Sequence, residues 1–112
     1  MELMAALKKL MWMKVGLVRT EGSLKEALEV VKELKQKAKN IAARTSREML
    51  VALEVPMALD AAGIILRAAM ERTESRGAHF REDYPEKDDS WLKIVILRKG
   101  KTDEIDASTR SI

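Results

Sequence analysis

The chain has 112 residues, of which 46% are hydrophobic and 35% charged, with five Gly and two Pro; this is one domain that folds, and its makeup favours helix over disorder. The absence of cysteine excludes disulfides, thiolate metal sites and thiol catalysis, and fits a reducing compartment. The 21 basic and 18 acidic residues are interspersed, giving a net charge of +3, which describes a mixed solvated surface and not a nucleic-acid footprint.

No uninterrupted apolar run approaches the ~20 residues of a bilayer span, and Met1-Glu2-Leu3-Met4 lacks the basic start of a signal peptide. Residues 2–14 place Leu3, Met4, Leu7, Leu10 and Met11 on one helical face. Around Gly16, the residues Val15, Leu17 and Val18 read as a turn or extended connection. A second helix is predicted over 24–42. Ser23 and Glu26 have capping-box spacing, and Ala27, Leu28, Val31, Leu34, Ala38 and Ile41 form its apolar stripe. Thr45 and Glu48 repeat that spacing and open a third helix over 46–73. Its stripe is read as Leu50, Leu53, Met57, Ala61, Ile64 and Ala68, with a bend near Ala52–Pro56. Ala58, Ala61, Ala62 and Gly63 would let another helix come close. The methionines at 4, 11, 49, 57 and 70 read as core filler.

A loop over 74–90 follows. The run Trp91, Ile94, Val95, Ile96 and Leu97 marks a strand over about 91–98, stopped by Arg98-Lys99-Gly100-Lys101. A return through Asp103-Glu104-Ile105 would make a short hairpin, and the tail 106–112 is expected to fray. An unpaired strand edge would drive self-association. The predicted fold is all-α: an antiparallel three-helix bundle with a C-terminal loop and a short strand or hairpin.

The stretch from Arg72 to Pro85 gathers the only histidine (His79), the only phenylalanine (Phe80), the only tyrosine (Tyr84) and one of the two prolines (Pro85). His79 is the natural catalytic suspect because imidazole titrates near neutrality. With one histidine and no cysteine, however, only carboxylates could complete a metal site, and Ser75 has no nucleophile elbow around it. A structural or interface hydrogen-bonding role fits His79 better. Glu74, Arg76, Arg81, Glu82 and Asp83 alternate in sign, as either a solvated loop with local ion pairs or an ordered network that docks against another domain. Gly77 favours the second reading, since it permits a positive φ or a close approach. No Gly-x-Gly-x-x-Gly opens a βαβ unit, so no dinucleotide fold is encoded.

Glu74-Ser75-Arg76-Gly77-Ala78-His79, then Arg81-Glu82-Asp83-Tyr84-Pro85, then Asp88-Asp89-Ser90-Trp91-Leu92-Lys93 resembles the C-terminal region of the succinate dehydrogenase/fumarate reductase flavoprotein subunit. The likeness extends upstream through Met11-Trp12 and Val15-Gly16-Leu17-Val18-Arg19. L-aspartate oxidase is similar in the Glu-Ser-Arg-Gly and Asp-Tyr-Pro pieces. The resemblance implies a spectrin-repeat-like bundle belonging to a parent that moves two electrons between succinate and fumarate through FAD. In that family, FAD and dicarboxylate are held by upstream domains whose positions this chain does not contain. The chain alone is therefore expected to bind no cofactor and to have no activity. Glu74, Arg76, His79, Arg81, Asp83, Tyr84 and Trp91 are the implied docking residues. The implied partners are the parent's flavin-binding domain and the iron–sulfur subunit, in a cytoplasmic location reaching a membrane only through partner subunits. One departure is Lys93-Ile94, where family members commonly carry Lys-His. The alternatives are a standalone helical adaptor and the C-terminal domain of an L-aspartate oxidase.

Overall fold

The computed structural model describes residues 2–16, 18–40, 44–100 and 105–111. In chain order these form α1 (Glu2–Val15), α2 (Glu21–Ala38), α3 (Ser46–Glu71), a 3-10 turn (Asp89–Trp91), β1 (Lys93–Lys99) and β2 (Ile105–Ser111). Leu17, Ile41 and the expected hairpin turn at 101–104 lie outside the described residues.

The helices meet in one apolar cluster. Leu7 and Val15 of α1, Leu24, Ala27, Val31 and Leu34 of α2, and Val55, Leu59, Ala62, Leu66 and Ala69 of α3 are its buried members. Leu28, Ala38 and three of the methionines, Met4, Met11 and Met70, pack at its margin. The stripe read for α2 is thus the face it buries. Val15 is the last residue of α1 and part of this core, not a connecting residue.

Helix α2 begins three residues before the predicted start. Thr20 is the N-cap: its hydroxyl accepts from the Ser23 backbone N–H, and the Ser23 hydroxyl accepts from the Thr20 N–H, both at 3.0 Å. Ser23 therefore closes the box from the N3 side. Glu26, expected to be its partner, instead reaches Lys14 of α1 at 3.0 Å. Helix α3 is capped by Thr45 as expected, with Glu48 N–H donating to its hydroxyl at 3.1 Å. The Glu48 carboxylate reaches one residue further back and accepts from the Arg44 N–H at 2.7 Å.

The stripe assigned to α3 is corrected. Leu50, Leu53, Met57 and Ile64 are exposed, as is Met49, while Val55, Leu59, Ala62, Gly63, Leu66 and Ala69 face the core. Helix α3 is apolar nearly all round, so steps of three and four can be traced along either face. Only packing chooses between them. The helix runs unbroken through Pro56, which lies on an exposed side.

The chain end also differs from the expectation. Residues 106–111 belong to β2, which pairs antiparallel with β1 in the register Lys93↔Ser111 to Lys99↔Ile105. A strand as apolar as β1 leaves a row of backbone groups seeking partners, and the polar tail supplies them from within the chain. The hairpin rests on α3. Ile105 Cδ1 lies 4.0 Å from where a Cβ would stand on Gly63, so the small residue admits a strand where a helix was expected.

Candidate docking site

The predicted docking residues collect at one end of the helices, where α3 gives way to the loop. The loop folds by short reversals. Arg76 and His79 exchange backbone hydrogen bonds at 2.8 and 3.0 Å across Gly77, whose φ is +60°. That left-handed conformation is why a glycine stands there. The loop then crosses the connection between α1 and α2: Arg19 N–H donates to the Phe80 carbonyl at 3.0 Å, and Glu82 N–H donates to the Arg19 carbonyl at 2.6 Å.

Glu74 has no solvent exposure. Its carboxylate accepts from Arg76 Nε at 2.9 Å, from the Asp88 N–H at 2.9 Å, and from Arg72. The Arg76 hydrogen bond leads in holding its pKa down at about 2, with the Asp88 N–H and Arg72 adding to it against the opposing effect of burial. Arg72 has further work: it donates to the carbonyls of Trp91 at 3.0 Å and Lys93 at 2.6 Å, so the end of α3 holds the start of β1. Trp91 stacks beneath this guanidinium at 5.2 Å and donates from its indole to Thr73 at 3.0 Å.

Arg81, 1% exposed, forms the second knot. It grips Asp83 with a fork, Nε to Oδ1 at 3.0 Å and Nη2 to Oδ2 at 2.6 Å. Its Nη1 donates to the carbonyls of Ala69 at 3.3 Å and Met70 at 3.0 Å, satisfying the last turn of α3 with a cation where the helix dipole favours one. Tyr84 covers the guanidinium at 5.0 Å. Asp83 also accepts from the Glu21 N–H at the start of α2, at 3.0 Å. Arg81 first, then that N–H, holds the Asp83 pKa down at about 2.

His79 ties the end of α3 to the α1–α2 connection. Arg19 Nη1 lies 2.8 Å from its Nδ1 and the Arg72 carbonyl 3.1 Å from its Nε2. A guanidinium only donates, so Nδ1 must be the bare nitrogen and Nε2 carries the proton, donating to the carbonyl. Burial lowers the His79 pKa first, and the cationic Arg19, Arg81 and Arg72 lower it further. Ser75 accepts from the Arg81 N–H at 2.9 Å and donates to the Tyr84 carbonyl at 2.7 Å, bracing the loop from within.

These contacts have a pH signature. The Glu74 and Asp83 carboxyls, depressed in the fold, stabilise it above their ordinary values of 4.5 and 3.8, and that contribution is lost as the pH falls toward about 2. The lowered His79 pKa has the same sense. Its contribution is complete above 6.5 and declines as the pH falls from there to the folded-state value. Denaturation midpoints followed from pH 8 to pH 2 are expected to fall in two stages. His79→Gln, which can accept from Arg19 and donate to the Arg72 carbonyl without titrating, should remove the first stage and keep the second. A single drop in the native profile, or an unchanged first stage in the variant, would contradict the lowered His79 pKa.

The structure thus brings all seven predicted residues to one end of the fold, but Glu74 and Arg81 are buried by the chain's own atoms and have no surface to offer a partner. Sequence reading missed Arg19 and the anchoring role of Arg72. The first sits 60 positions from His79, and no local spacing links them. Arg72, Arg76 and Arg81 are committed to Glu74, Asp83 and backbone carbonyls. Among the described residues, no buried side-chain nitrogen or oxygen lacks a partner, and no three His, Asp or Glu side chains are grouped as a metal site would need.

The described residues thus form a helical unit whose loop end is internally paired. Residues 4–112 match the family described as the fumarate reductase flavoprotein C-terminal domain. The chain is 36% identical over 95 residues to an uncharacterized FAD-dependent oxidoreductase of Methanocaldococcus jannaschii (85% of this chain, 17% of that protein). It is 39% identical over 101 residues to the fumarate reductase flavoprotein subunit of Helicobacter pylori (85% and 14%). The Sdh1 complex of Mycobacterium smegmatis in its apo form contains a chain that superposes with a TM-score of 0.79 at 31% identity, covering 97% of this chain and 19% of that one. The chain belongs to the succinate dehydrogenase/fumarate reductase flavoprotein family, as its C-terminal domain. It spans less than a fifth of the length of the relatives it matches.

Proposed function

We propose that this domain braces the flavin-binding part of an FAD-dependent oxidoreductase that interconverts succinate and fumarate, and that it has no activity by itself. In this reading the helices form an antiparallel, spectrin-repeat-like bundle. Its loop end meets the flavin domain through the outward parts of Arg76, His79, Asp83, Tyr84 and Trp91, while Glu74 and Arg81 hold that rim in shape from behind. The observation that carries the reading is the double knot of Glu74 and Arg81. It fastens the α1–α2 connection, the end of α3 and the start of β1 into one piece, as a brace requires. The flavin supplies the redox chemistry in the parent. The iron–sulfur subunit is the further partner, and the location is cytoplasmic, with membrane contact made only by partner subunits.

The purified 112-residue chain is expected to be colourless and to pass no electrons from succinate to an artificial acceptor. Stoichiometric flavin absorbance that survives gel filtration would overturn this. A gene whose reading frame continues upstream into a flavin-binding sequence separates the brace from a standalone adaptor. Assay of that full product with succinate and with aspartate separates it from an L-aspartate oxidase.

A further inference from the structure

Leu50, Leu53, Met57 and Ile64 recur at steps of three, four and seven along α3 and share the arc opposite Val55, Leu59 and Leu66. Met57 is 72% exposed and Leu53 65%. Trp12 of α1, 74% exposed, shares a helical face with Ala5 and Lys8, which border the shallow groove between α1 and α3. Soluble single domains seldom leave so many large apolar side chains uncovered along one helix. We infer that this stripe is the surface covered by the upstream, flavin-binding part of the same polypeptide, an interface separate from the charged loop. The inference rests on the functional reading above.

Three observations favour that occupant. More than four-fifths of the length of the matched relatives lies outside the aligned domain, so a large covering body is available. The first turns of α1 lie against the first half of α3, with Met4, Ala5 and Lys8 facing Val51 and Glu54, so a polypeptide preceding α1 would leave beside Leu50 and Leu53. Lipid is the competing occupant, because α3 has an 18-residue window of mean hydropathy 1.9, enough by length and composition to cross a membrane. Its other face is filled by the core, however, and Asp60 bridges to Lys35 of α2 at 3.2 Å, so the helix presents one side to a partner and not its whole circumference to hydrocarbon.

These 112 residues contain no cysteine, so each thiol introduced here is read on its own peptide, apart from any in the upstream part. Met57→Cys, Leu53→Cys and, on the exposed back of α2, Glu33→Cys are placed singly in the full-length protein. Maleimide labelling at each site is quantified by peptide mass spectrometry and normalised to the denatured protein. Cysteines at 57 and 53 are expected to label at least about tenfold more slowly than cysteine at 33, independent of protein concentration and without lipid. Equal labelling would overturn the inference. So would protection lost on dilution, which assigns the stripe to a second copy, or protection that appears only with phosphatidylcholine vesicles, which assigns it to lipid. Flavin absorbance of the same samples keeps the two readings apart. Bound flavin with a reactive stripe sinks this inference alone, whereas protection without flavin supports the covered stripe and removes the flavoprotein function.

Discussion

Arg81→Met is expected to destabilise this chain by about 3 kcal/mol, the usual cost of breaking a buried ion pair by removing one partner. Methionine can fill the volume beneath Tyr84. It cannot donate to the Ala69 and Met70 carbonyls, which then end α3 without their cation. It also strips the guanidinium fork from Asp83, which keeps only backbone N–H partners, that of Glu21 among them. The Asp83 carboxyl is partly exposed, which keeps the expected loss at the lower end of the range for fully buried pairs. Denaturant midpoints at pH 7 read the effect directly. Arg81→Lys should recover little, because an ammonium cannot reproduce the fork on Asp83. A variant within about 0.5 kcal/mol of the native chain would show that the knot is dispensable.

The second large effect comes from two leucines six residues apart on α3. Leu59→Ala should cost about 2–5 kcal/mol, since Leu59 is wholly buried and its loss opens a cavity against α1 and α2. Leu53→Ala, on the exposed stripe, should change the stability of this chain by no more than about 0.5 kcal/mol. Measured side by side, the pair tests which face of α3 is core. Equal losses, or the reverse order, would mean that the helix is turned the wrong way round.

That pair also marks the limit of what the sequence discloses. The periodicity of α2 names its buried face because lysines and glutamates occupy the other side. In α3 the opposite side is apolar too, so the pattern supports two solutions. The sequence cannot choose between them unless it also shows what covers the second face. Capping spacing located Thr45 correctly but passed over Thr20, because Ser23 works in either position of a box. A hairpin returning through Ile105 was legible, but its continuation was read as a fraying tail for a plain reason: Asp106-Ala107-Ser108-Thr109-Arg110-Ser111 shows no apolar alternation and owes its shape to β1. The loop was legible as a special place because it concentrates rare side chains. Its inward architecture was not, since it depends on Arg19 and on the terminal carbonyls of α3, neither of which a local motif can name.

The meeting of Arg19 with Phe80, His79 and Glu82 also orders events in time. These contacts close across some 60 positions of chain, whereas α1, α2 and α3 each form from neighbours a few residues apart. The entropy of drawing such distant points together has to be met before the contacts repay it. The individual helices are therefore expected to form first, with the loop closing later as a clasp. Refolding monitored at Trp91, whose indole and stacking partners lie in the clasp, should trail the recovery of helical circular dichroism.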